Sequence, residues 1–235
     1  MDMLEAMNHS NQGARLMEMG RYMEAQWRFT TAVNLITKYV STQHTKHCNS
    51  QALTNIFRWS NEIYWDEAED LDIAEEQAEI HAAAFVYRKA VVFNDATLHS
   101  WSARDKKQPQ SSWKHHVGVA IVFNMALCHH ASGICLVSSQ HFQLARRLYA
   151  SALGACMADT DPMLKVAVLN NLGVLLHGHF MEYVFSRDCF AHLWKLLTIL
   201  HQETPAVQID IPTEVKSAVY LNIALLNSPP ASPAA

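Results

Sequence analysis

The chain has 235 residues, 50% of them hydrophobic and 9% aromatic, with a formal charge of −4 at neutral pH. That length and composition suit a folded chain with one sizeable core or one short array of repeats, not a disordered one. A charge this small excludes a nucleic-acid binder that works by neutralising phosphates, because such proteins concentrate Lys and Arg. The five cysteines, at 48, 128, 135, 156 and 189, are odd in number and scattered, the pattern of reduced intracellular thiols. The first residues, Met1 to Glu5, are acidic and carry no basic-then-apolar pattern, so no secretory signal is expected. The longest apolar run, residues 117–128, is interrupted by Asn124 and is shorter than the roughly 20 residues a bilayer requires. The expected location is the cytoplasm or the nucleus, with no membrane partner.

Two helices are expected first, over residues 4–19 and 23–40. Gly20 ends the first of them, since glycine takes the left-handed backbone conformation without steric cost. Residues 21–108 then contain neither glycine nor proline. Within that stretch, apolar positions Leu53, Ile56, Phe57, Ile63 and Tyr64 behind a Ser50 or Asn49 cap predict a helix. Residues 66–79 hold eight carboxylates in fourteen positions and read as a solvated helix or an acidic loop. Residues 85–93 are β-branched and aromatic and predict an extended segment, one half of a short hairpin. Residues 100–114 read as a polar loop.

Further on, Phe123, Asn124, Met125 and Ala126 open a helix that Gly133 is expected to close, with an enlarged turn before Phe142. Ala145, Tyr149, Ala152 and Leu153 form the stripe of the following helix. Asp161-Pro162 marks the next start, with proline at the first helical position. Ser186 and Phe190 lie on a further second helix, behind a turn in which Phe180 stands where glycine is expected. Residues 220–226 form a last helical fragment, and Pro229, Pro230 and Pro233 stop it.

The apolar and small residues repeat in register. Gly13, Leu16, Gly20, Tyr22, Ala25, Phe29 and Ala32 resemble one complete tetratricopeptide (TPR) repeat. In that pattern small residues at Gly13 and Ala25 let two helices approach closely, and Phe29 fills the space between them. Asparagine recurs at Asn11, Asn124, Asn171 and Asn222, always two residues before Gly13, Ala126, Gly173 or Ala224, at irregular spacings of 113, 47 and 51 residues. The resemblance implies a mostly α fold, an α-α superhelix with a long insertion after its first repeat. Repeat one is expected over residues 4–40, the insertion over 41–116, and repeats two and three over 117–200. A C-terminal capping helix is expected over 213–227, with a disordered tail at 228–235.

TPR proteins hold ligands on the inner surface built from the first helix of each repeat. Carried over position by position, that surface comprises Ser10, Ala14 and Met17; Phe123, Leu127 and His130; and Asn170, Val174 and His177. The resemblance implies a non-enzymatic adaptor that binds a protein partner as a peptide or helix, unless the insertion folds back and covers the face. A subclass of the family grips the C-terminal carboxylate of heat-shock chaperones with lysine, arginine and asparagine. Ser10, Ala14 and Asn170 replace the needed residues here and only Asn124 agrees, so a chaperone tail is not the expected ligand.

The 14 histidines raise a different reading, metal binding or redox sensing by His and Cys. The clusters His44, His47 and Cys48; Cys128, His129, His130 and Cys135; and His177 with His179 lack the paired spacing of zinc sites. Cys128 and Cys189 fall on apolar stripes and read as small core residues. No metal, cofactor or catalytic residue is therefore expected. No nucleophile elbow, phosphate loop or dinucleotide fingerprint is present, and an enzyme would need residues converging from the insertion. Trp27, Trp59, Trp65, Trp101, Trp113 and Trp194 are expected mostly in the core or between helices.

Overall fold

A computed structural model describes residues 3–43, 87–93, 112–156, 160–202 and 213–226. The described residues are mostly α-helical and include no strand. Their seven helices are α1 (Met3–Glu18), α2 (Tyr22–Gln43), α3 (Ser112–Leu136), α4 (Ser139–Ala155), α5 (Pro162–Gly178), α6 (Tyr183–Gln202) and α7 (Thr213–Leu226). The expectations for residues 44–86, including the acidic run, Trp59, Trp65 and the cluster at His44, lie outside the described residues, as does Trp101. The chain divides into two compact units. The first contains α1 to α4 and residues 88–93; the second contains Tyr87 and α5 to α7.

In the first unit, α1 and α2 form a tight hairpin. Gly20 has φ +72°, and its N–H donates to the Met17 carbonyl while Arg21 N–H donates to Leu16 (both 2.9 Å). This pair of bonds caps the end of α1 in the manner glycine permits. A Cβ at Gly13 would sit 2.7 Å from the ring of Phe29, so only glycine lets α2 come this close. Ala25, Phe29 and Ala32 are wholly buried, one face of α2 at helical spacing.

Helix α3 is long and apolar and packs against α1, α2 and α4. By length and composition it could cross a membrane, but most of that stretch is buried inside the unit. Its bounds correct two expectations. The helix begins at Ser112, inside the expected loop, and it runs past Gly133 to Leu136. Gly133 serves packing instead, since a Cβ there would meet Phe142 at 2.7 Å. Of the residues assigned to an enlarged turn, Ile134 to Leu136 extend α3 and Ser139 to His141 open α4, so only Val137 and Ser138 link the two. Val137 is the left-handed residue, φ +49°, with Ser138 N–H donating to the Gly133 carbonyl at 3.1 Å. A β-branched residue in that conformation is strained, which is why no stop was visible there.

In the second unit, Asp161 caps α5, its Oδ1 accepting from the N–H groups of Met163 (2.8 Å) and Leu164 (3.4 Å), with Pro162 next. Gly173 repeats the device of Gly13, because a Cβ would stand 2.9 Å from Phe190. Ser186, at the small position four residues before Phe190, donates to the Gly173 carbonyl at 2.9 Å. Left-handed φ falls at Met181 (+52°), one residue beyond Phe180. Helix α7 packs on α5 and α6 through buried Val219, Asn222 and Ile223. Trp27 and Trp194, expected in the core or between helices, are exposed but touch a neighbouring helix, at His9 and Tyr220. Trp27 is exposed beneath the Arg28 guanidinium, 4.6 Å from the ring centroid, and Trp194 is exposed beside Tyr220.

Candidate functional site

The asparagine that recurs on the first helix of each hairpin is the residue that organises the site. It lies two positions before the small residue that faces the second helix. Two positions correspond to about 200° around an α-helix, so the asparagine projects from the opposite face. What it meets there is main chain.

In the first unit, Asn124 Oδ1 accepts from the N–H of Val91 at 2.7 Å, and Asn124 Nδ2 donates to the carbonyl of the same residue at 2.8 Å. Asn11 holds Phe93 in the same way, accepting from its N–H and donating to its carbonyl, both at 2.7 Å. In the second unit, Asn171 accepts from Tyr87 N–H (2.8 Å) and donates to Tyr87 carbonyl (3.0 Å). A primary amide offers one acceptor and two donors on one planar edge. It can grip both groups of a single residue only where they point to one side, which is the extended conformation. Val91 and Phe93 are two apart, as one edge of an extended chain requires. Tyr87, Val91 and Phe93 are thus each held extended, within the segment expected to be so over 85–93; residues 85–86 lie outside the described residues, and side-chain amides stand where a hairpin partner was expected.

Asn124 and Asn171 are themselves held in place. Asn124 is wholly buried and donates its remaining hydrogen to Ser10 Oγ at 3.1 Å. Asn171 Oδ1 also accepts from Asn170 Nδ2 at 3.2 Å, and Asn170 Oδ1 accepts from Asn222 Nδ2 at 2.8 Å. The sequence-level echo at Asn222 thus belongs to a relay from α7 through Asn170 to Asn171, all three buried. Aligned donors polarise one another and fix the amide orientation. A net contribution of about 1 kcal/mol per hydrogen bond puts each clamp at roughly 2 kcal/mol.

The clamped residues differ in their surroundings. Phe93 is buried, whereas Arg88 and Lys89 face solvent and Val92 is 43% exposed. Burial, and then the carboxylate of Asp161, push the Tyr87 hydroxyl above its ordinary value.

The residues expected on the inner face are placed as follows. Ser10, Ala14, Phe123, Leu127, His130, Asn170 and Val174 are buried, while Met17 and His177 are half-buried. Ser10 and Asn170 orient clamps, so they touch the site without forming its gripping edge. Phe123 packs at a tilt against Tyr149 (centroids 6.0 Å apart), and His130 lies 3.4 Å from the Tyr149 hydroxyl, both in contacts with α4. His177 packs edge-on to Tyr183 at 5.0 Å, and burial lowers its basicity. The clamp positions Asn11, Asn124 and Asn171 each stand one residue after an expected one. Their recurrence was visible in the sequence but marked only the repeat.

The Cys and His side chains at 128–130 point apart. Cys128 donates to the Tyr22 carbonyl (3.5 Å), and burial pushes its thiol up to about 12. His129 Nδ1 lies 3.0 Å from His141 Nδ1, and His130 faces Tyr149. Among the described residues no three His, Cys, Asp or Glu side chains come together as metal ligands. Cys128 and Cys189 are buried, as expected of small core residues.

The His129–His141 pair sets a pH dependence. Two facing imidazole nitrogens share one proton, so a second proton breaks the bond. Burial, with His141 adding to it, lowers His129 to about 3, and burial lowers His141 as well. The unfolded chain therefore protonates first. Stability is full above about 6.5, the unperturbed histidine value, and is lost progressively below it. The melting temperature is expected to fall from pH 7.5 to pH 5.5, and less steeply in His141→Asn, which cannot titrate. An unchanged slope in that variant would remove the pair as the cause.

No family model matches the chain, nor does any curated protein or solved structure.

Proposed function

We propose that this chain is a non-enzymatic interaction protein whose TPR-like helical hairpins hold an extended polypeptide along their inner face. The observation that carries this reading is the pair of bonds from Asn124 to both main-chain groups of Val91. Asparagine amides repeated at one register on successive first helices are suited to gripping peptide main chain. Such contacts supply affinity that depends little on sequence, while neighbouring pockets supply selectivity. The partner is a protein segment that binds as a single extended chain.

A displayed library of random peptides, selected on the full chain and tested against Asn11→Ala/Asn124→Ala, tests this function. Selected peptides are expected to bind the parent protein about tenfold or more tighter than the double variant, equivalent to at least ~1.4 kcal/mol. Peptides that bind both equally, or no selection at all, would contradict it.

A further inference from the structure

In the first unit the clamps are already filled by the chain itself. We propose that residues 88–93 are a built-in occupant of the site, and that the partner is an extended segment with an aromatic residue at the Phe93 position, which takes their place. This inference rests on the peptide-binding reading given above.

Three observations support it. First, the occupant belongs to neither hairpin. Phe93 is 82 residues from Asn11, and Val91 is 33 from Asn124. Second, the four clamp bonds at Val91 and Phe93 join asparagine side chains to main-chain groups, with no strand beside the segment among the described residues. Every peptide residue except proline carries the same N–H and carbonyl, so a second chain can reproduce these four bonds without loss. Third, the segment lies at the surface of the unit. Arg88, Lys89 and Val92 are exposed, and only Phe93 is buried. The occupant is therefore accessible from solvent, with the Phe93 ring as its buried side chain.

These features define the ligand class. The incoming segment needs an extended backbone, no proline at the two clamped positions, and an aromatic residue at the second of them. The side chain of the single residue between the clamps can vary, because its counterpart Val92 is 43% exposed.

Val91→Pro in the full chain tests the proposal, since proline lacks the N–H that Asn124 accepts from and so weakens the occupant without altering the clamps. The probe is a fluorescent synthetic peptide with the sequence of residues 85–95, followed by anisotropy. It is expected to bind Val91→Pro about tenfold or more tighter than the parent, as removal of a competing bound state requires. Adding Asn124→Ala to that variant is expected to abolish the gain. Equal binding to parent and variant would overturn the built-in occupant while leaving peptide binding intact. Binding to neither would overturn the peptide-binding reading itself. Should Val91→Pro melt at a lower temperature, excess peptide is expected to raise its melting point more than that of the parent. No such rise would show the segment to be a fixed part of the core and would overturn the proposal.

Discussion

Gly173→Trp is expected to unfold the second unit. A single Cβ at this position would already stand 2.9 Å from Phe190 Cζ and 3.0 Å from Cε1. Phe190 is wholly buried, and the Ser186 hydroxyl is bonded to the Gly173 carbonyl. Inserting even a few methylenes into a packed interior costs about 1–3 kcal/mol, and an indole is far larger. The total is comparable to the roughly 5–15 kcal/mol that holds a typical domain folded. Loss of helical circular dichroism and of amide protection across α5 and α6 would show it. Gly173→Ala should fall in between, since only the phenyl ring must shift. An unchanged melt in the tryptophan variant would mean that α5 and α6 do not pack through this residue.

Asn124→Asp is the second large effect, and it separates hydrogen bonding from shape. The two side chains have the same outline, but a carboxylate offers no donor. It could still accept from Val91 N–H, yet it would face the Val91 carbonyl and the Ser10 hydroxyl with a lone pair where the amide gave a hydrogen. It would also place a charge where the native side chain is wholly buried. The expected loss is roughly 2–4 kcal/mol, the sum of one or two broken bonds and an unsatisfied buried group. Asn124→Ala should cost less than Asn124→Asp at neutral pH, because it removes the bonds without adding the charge. Chemical denaturation of the three proteins gives the order directly. If the aspartate variant matched the parent, the amide could not be gripping both main-chain groups of Val91.

What the sequence made legible was local or periodic. The left-handed glycine at Gly20, the Asp161-Pro162 start and the small residues at Gly13 and Gly173 each follow from short-range sterics. The end of α3 was not legible, because the chain turns at Val137, a residue that sterics alone would exclude from that conformation. Gly133 misled for the same reason: its smallness serves the Phe142 ring and not a turn. The candidate site was half legible. The asparagines stood out by recurrence, but the partner of Asn11, Asn124 and Asn171 is main chain 33 to 84 residues away, which no helical period encodes. The inner face was consequently read one residue early, at Ser10, Phe123 and Asn170, and two of those three turn out to orient the clamps.

The central claim is that asparagine amides hold the main chain of residues 87–93, and amide hydrogen exchange at Val91 and Phe93 tests it most directly. Both amides are expected to be protected in the parent protein, because each donates to a side-chain oxygen at 2.7 Å. Asn124→Ala should release Val91 more than Phe93, and Asn11→Ala should release Phe93 more than Val91. Fast exchange at both sites in the parent, or protection that neither substitution alters, would contradict the account.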